Sequence, residues 1–240
     1  RKGVVLRASC DADFLISYFA VHVAGAVAVL LPATATPEQV VRVEKSLQGF
    51  CFPEGSTDVL FTTGTTGAPK GVVIGTRAIV ASAENIVHGQ AYRYDIRFVV
   101  PGQLNHLGCL SKVWATMLAG ATCCLMPKFD FNEFFSLLAS CKEMSVGAFL
   151  VPSCIRMLTK FGGKQMEDAA IKLAFIETGG DALDVPTMAD LHKQLPHTRL
   201  FNTYASTETG VVATFEFTHH QQAGCVGCAL PNARFDKIGR

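Results

Sequence analysis

The sequence predicts an α/β fold: two packed α/β lobes with mainly parallel sheets covered by helices, plus a small β-rich C-terminal portion. Three observations predict it. Apolar, β-rich runs alternate with segments of helical periodicity along most of the chain. Runs such as residues 26–31 are apolar throughout, as in strands buried on both faces. Of the 240 residues, 49% are hydrophobic and 17% charged, which favours a packed core over disorder.

The elements follow in order. Residues 4–8 read as a strand. Asp11 suits the cap of the next helix, and Gly25 can end it in the left-handed conformation. Residues 26–31 form a second strand, and Pro37 suits the first turn of a helix reaching about residue 47. A strand at 59–62 feeds a Thr/Gly-rich segment and a further apolar run, then a helix over 77–91 with Thr76 as cap. The rhythm repeats with strand 97–100, helix 110–118 ended by Gly120, strand 122–126 and helix 131–142. Strand 146–151, a short helix at 155–159, strand 173–178, helix 185–195 and strands 200–204 and 211–217 complete it. Residues 161–168, with Gly162-Gly163, are the most linker-like stretch. The lobes divide at about 1–95 and 96–210, with the β-rich part at 211–240.

Composition narrows the function classes. Lys and Arg total 21 against 20 Asp and Glu, so no electrostatic footprint for nucleic acid is expected. Residues 14–35 contain no Asp, Glu, Lys or Arg, a length that could span a bilayer. Ser17, His22, Gly25 and Thr34 interrupt it, and a helix followed by a buried strand is expected, with no membrane span. Nine scattered cysteines read as reduced thiols of a cytoplasmic protein. Cys225 and Cys228 have CxxC spacing, but a zinc site needs a second ligand pair.

The chemistry centres on Thr62-Thr63-Gly64-Thr65-Thr66-Gly67-Ala68-Pro69-Lys70-Gly71, between a strand and an apolar run. Glycines let backbone N–H groups approach an oxyanion. Thr62, Thr63, Thr65 and Thr66 add hydroxyl donors, and Lys70 adds a compact positive charge. It is not a Walker loop, because Pro69 stands where that motif needs its second Gly.

These ten residues resemble the signature of the adenylate-forming (AMP-binding) superfamily, which includes acyl-CoA synthetases, peptide-synthetase adenylation domains and luciferases. Thr65-Thr66 is more similar to the acyl- and aryl-CoA synthetases, since peptide-synthetase domains usually carry Ser-Thr. The resemblance implies that Thr62, Thr63, Gly64, Thr65, Thr66, Gly67 and Lys70 hold the outer phosphates of ATP and release pyrophosphate. Asn202-Thr203-Tyr204-Ala205-Ser206-Thr207-Glu208-Thr209 resembles a second family segment. It implies that Thr207 bonds the α-phosphate, Glu208 holds Mg²⁺ and Tyr204 stacks on adenine, with Asn202, Thr203 and Ala205 beside the nucleotide. Ala205 departs from the family, which usually has Gly there. Gly179-Gly180-Asp181 resembles the turn bordering the adenine, and His106 falls where the family meets its acid substrate. Scaffold similarities include Leu118-Ala119-Gly120-Ala121-Thr122, Lys128-Phe129-Asp130, Val151-Pro152-Ser153 and the segment 224–232, so the resemblance runs from about residue 4 to 238.

The implied catalytic residues are Thr207, Glu208 and Lys70, with ATP, Mg²⁺ and, as co-substrate, coenzyme A. The implied reaction activates a carboxylic acid as acyl-AMP and then forms a thioester. The alternatives are a peptide-synthetase-like domain that loads a carrier protein, or a non-catalytic binder of nucleotide or acyl ligand. The family's Thr-Gly-Asp and its small C-terminal domain with a catalytic lysine have no counterpart in these 240 residues. That domain is an expected partner, and adenylation by this chain alone is expected to be inefficient.

Overall fold

The computed structural model describes residues 1–63 and 69–236. After β1 (Gly3–Ala8), the Asp11 carboxylate accepts the Phe14 N–H at 2.8 Å and starts α1 (Ala12–Val23). Gly25 follows in the left-handed region at φ 69°. The uncharged stretch therefore divides between α1 and β2 (Val27–Pro32). No described helix is long and apolar enough to cross a membrane. A capping box between Thr36 and Gln39, with Pro37 in the first turn, begins α2 (Pro37–Ser46).

β3 (Ser56–Thr63) and β4 (Pro69–Gly75) form an antiparallel pair, with Thr62 opposite Lys70. Residues 64–68, the middle of the Thr/Gly segment, lie outside the described residues. The first sheet has the order β1-β2-β3-β4, parallel except for β4. The helix α3 (Thr76–Gly89) is capped by Gly75 instead of Thr76. The Thr76 hydroxyl is engaged elsewhere, 2.6 Å from Thr57 Oγ1, which holds the helix start to β3.

The second sheet is built from β5 (Arg97–Pro101), β6 (Thr122–Met126), β7 (Val146–Phe149), β8 (Leu173–Gly179), β9 (Arg199–Ser206), β10 (Gly210–Glu216) and β11 (Cys228–Ala229). Its order is β11-β10-β9-β8-β7-β5-β6, parallel from β9 to β6 and antiparallel at β10 and β11. The connecting helices are α4 (Leu107–Leu118), α5 (Phe131–Ala139), α6 (Pro152–Phe161), α7 (Gly163–Ala170) and α8 (Val185–Gln194). The architecture is the mixed α/β fold with mostly parallel sheets that the alternation predicts.

Residues 161–168 are a correction: α6 ends at Phe161 and α7 begins at Gly163. Gly163, at φ 47°, turns the chain between the two helices. Met166 and Ala169 then dock one α7 face into the second core, so packing outweighs the paired glycines.

One hydrophobic core joins the two sheets through α1, α3 and α4. A buried polar network crosses it. Asp58 of β3 accepts from the Tyr18 hydroxyl at 2.6 Å and contacts His22 Nε2 at 2.7 Å. Trp114 Nε1 of α4 donates to the Tyr18 hydroxyl at 2.9 Å. α1, β3 and α4 are thereby tied at one point.

Candidate functional site

β5, β7, β8 and β9 run parallel, so their carboxyl ends open on one edge of the sheet, where open α/β folds bind ligands. β8 ends in Gly179-Gly180, and the backbone explains both glycines. A Cβ on Gly179 would stand 2.7 Å from the Thr203 carbonyl oxygen of β9. Gly180 adopts φ 85°, a left-handed conformation that side chains disfavour. Asp181 turns back on its own loop, its Oδ1 accepting the Ala182 N–H at 2.7 Å.

Two cavities open here. The larger, about 530 Å³, is lined by His106, Lys112, Phe149, Glu177, Ser206 and Thr207, among others. The smaller, about 300 Å³, is lined by Asp181, Asn202, Tyr204 and Cys225, among others. Both linings include Gly180, Thr203 and Ala205, so the end of β9 is a shared wall.

Most of the predicted nucleotide residues therefore meet. Tyr204 is 47% exposed in the smaller cavity, so its ring is accessible to a planar ligand. Asn202 Nδ2 donates to the Cys225 carbonyl at 3.2 Å, closing that cavity's far side. The Thr203 hydroxyl accepts from Gln90 Nε2 at 3.2 Å and meets Thr214 Oγ1 at 3.1 Å, so it braces the strand from behind. Ala205 has no left-handed backbone, and its methyl adds to both linings without strain.

The turn after β9 is closed by Ser206 Oγ and Thr209 Oγ1 at 3.0 Å, with Thr207 and Glu208 at its apex. Thr207 borders the larger cavity, and Glu208 is exposed. A single carboxylate beside substrate phosphates is a typical protein contribution to Mg²⁺ binding, and Glu208 fits that donor chemistry. His106 is exposed at the start of α4 and borders the larger cavity. Thr62 and Lys70, on the β3–β4 pair, belong to neither lining among the described residues. The predicted residues Gly64, Thr65, Thr66 and Gly67 lie outside the described residues.

Sequence reasoning missed the charged pair in the larger cavity. Lys112 of α4 and Glu177 of β8 form a hydrogen-bonded ion pair, their side chains 2% and 0% exposed. The Lys112 ammonium also lies 5.1 Å from the Phe149 ring centroid. The signal was available: each is a charge inside an otherwise apolar helix or strand. Cys109 shares this wall, and burial pushes its thiol up to about 12.

Comparison with known proteins decides the family, since the sequence model of the AMP-binding enzyme family matches residues 56–238. The chain belongs to the AMP-binding enzymes. Mitochondrial malonate–CoA ligase of Mus musculus is 27% identical over 187 residues, covering 72% of this chain and 32% of that protein. D-alanine–D-alanyl carrier protein ligase of Lactiplantibacillus plantarum is 29% identical over 164 residues, covering 65% of this chain and 31% of that protein. ATP-bound MatB from Rhodopseudomonas palustris has the same fold, with a TM-score of 0.81 at 17% identity over 96% of this chain and 55% of that one. The chain thus spans about a third of the length of the curated relatives it matches.

Proposed function

We propose that this chain is the nucleotide- and acid-binding part of a ligase that activates a carboxylic acid as its acyl adenylate and then passes it to coenzyme A. The observation that supports this reading best is the shared wall. An acyl adenylate has a planar base at one end and an acyl group at the other, and two cavities meeting at Gly180, Thr203 and Ala205 suit such a ligand.

In this reading the adenine stacks on Tyr204 between the Gly179-Gly180 turn and β9. The Thr207 hydroxyl donates to an α-phosphate oxygen. The segment from Thr62 to Lys70 holds the β- and γ-phosphates through backbone N–H groups, threonine hydroxyls and the Lys70 charge. Glu208 is the residue that would hold Mg²⁺, which offsets phosphate charge when bound. His106, at the cavity rim, steers the carboxylate inward. A carboxylate oxygen attacks the α-phosphorus, the bond to pyrophosphate breaks, and acyl-AMP forms. The coenzyme A thiolate then attacks the acyl carbon and AMP leaves.

The CoA acceptor rests on Thr65-Thr66 and on the CoA-ligase relative; the carrier-protein ligase among the relatives supports the second reading, transfer to a carrier protein. The nine cysteines, all free, suit a reducing compartment such as the cytoplasm. Calorimetric titration with ATP and GTP tests the reading. ATP is expected to bind more tightly than GTP, and Thr207→Ala to weaken ATP about tenfold. Equal binding of both nucleotides, unchanged by Thr207→Ala, contradicts it.

A further inference from the structure

Stability alone is a weak explanation for the buried Lys112–Glu177 pair. A buried ion pair is often no more stabilising than well-packed apolar residues of similar volume. Only half of the Glu177 carboxylate is satisfied here. Oε1 accepts from Lys112 Nζ, while Oε2 is buried without a hydrogen-bond partner among the described residues. A buried carboxylate oxygen left without a donor is costly, and native structures rarely keep one without a reason. Both residues line the larger cavity, beside the apolar faces of Leu107 and Phe149. The Tyr92 hydroxyl is buried near enough to feel the Glu177 charge, but no hydrogen bond joins it to Oε2.

The missing donor is therefore best supplied from the cavity. The pair is neutral as a unit, so a second ammonium or carboxylate would arrive without a counter-charge. A neutral donor adds a hydrogen bond and leaves the charges balanced.

We propose that the acid activated by this site carries a hydroxyl group on its acyl portion, and that this hydroxyl donates to Glu177 Oε2. Glu177 is then a specificity-determining residue, and Lys112 positions it and supplies the opposite charge. An unsubstituted acid leaves Oε2 without its donor and is disfavoured on that account. This inference rests on the adenylation reading, because that reading makes the larger cavity the acyl site.

The test uses hydrolysis-resistant acyl adenosine sulfamates in matched pairs, hydroxylated and unsubstituted, of benzoyl, cinnamoyl and butanoyl groups. Succinyl and β-alanyl analogues supply a second carboxylate and an ammonium. Calorimetry with the wild-type chain is expected to give at least one hydroxylated analogue about tenfold tighter than its unsubstituted partner. The double variant Lys112→Met/Glu177→Leu is expected to lose that preference. Glu177→Gln is isosteric and is expected to reduce it at least about threefold, which assigns the effect should the double variant fail to fold.

Pairs that all bind within about twofold of one another overturn the hydroxyl inference alone. So does a preference that survives the Glu177 variants, or tighter binding of the succinyl or β-alanyl analogue. Failure of every analogue and of ATP to bind overturns the adenylation reading, and this inference with it.

Discussion

Tyr204 is about half exposed in the smaller cavity and belongs to none of the three hydrophobic clusters among the described residues. Tyr204→Ala should therefore lower ATP affinity about tenfold while leaving the thermal midpoint nearly unchanged. Calorimetry and a thermal scan on the same sample check this. Gly179→Ala should behave oppositely. Its new methyl meets the Thr203 carbonyl, so β8 and β9 must separate, at a cost of about 1–3 kcal/mol measured by urea unfolding. The positions of Tyr204, Thr207 and the Gly-Gly turn beside the two cavities were legible because they lie in short contiguous segments. The Lys112–Glu177 pair was not. Its members are 65 positions apart, and only the packing of α4 against the second sheet brings them together. Asp181 was legible as a position but not as a contact, since its bond to Ala182 depends on the turn.

At the scale of elements, two polar clusters make separable predictions. Asp58 is fully buried and serves both Tyr18 and His22. Asp58→Ala leaves the Tyr18 hydroxyl without its acceptor and should cost about 3 kcal/mol by urea unfolding. Arg199 on β9 and Glu216 on β10 form a paired contact at 3.0 and 2.8 Å. The Arg199 hydrogen bonds hold the Glu216 carboxyl below its ordinary value. Its folded-state value is depressed, so its contribution is present above the unfolded value and is lost as pH falls through the folded one. Glu216→Gln should flatten the decline of the thermal midpoint below about pH 5, and an unchanged decline would contradict the assignment. Strand and helix positions were largely legible from periodicity. α7 was not, because Gly162-Gly163 reads locally as a break and only burial of Met166 and Ala169 reveals the helix. The cap of α3 was also misread, since Thr76 serves Thr57 on a strand distant in sequence.

At the scale of the molecule, the alternation of elements was enough to predict parallel sheets under helices. The order β11-β10-β9-β8-β7-β5-β6 was not, because strand order depends on where each crossover lands. That order sets β8 beside β9, and with it the wall shared by the two cavities. The central claim is that one ligand occupies both. The direct measurement is a calorimetric competition between AMP and an acyl adenosine sulfamate. The sulfamate is predicted to bind at one site per chain, about a hundredfold tighter than AMP, and to displace it completely. Simultaneous binding of both ligands, or an affinity no better than that of AMP, would contradict the account.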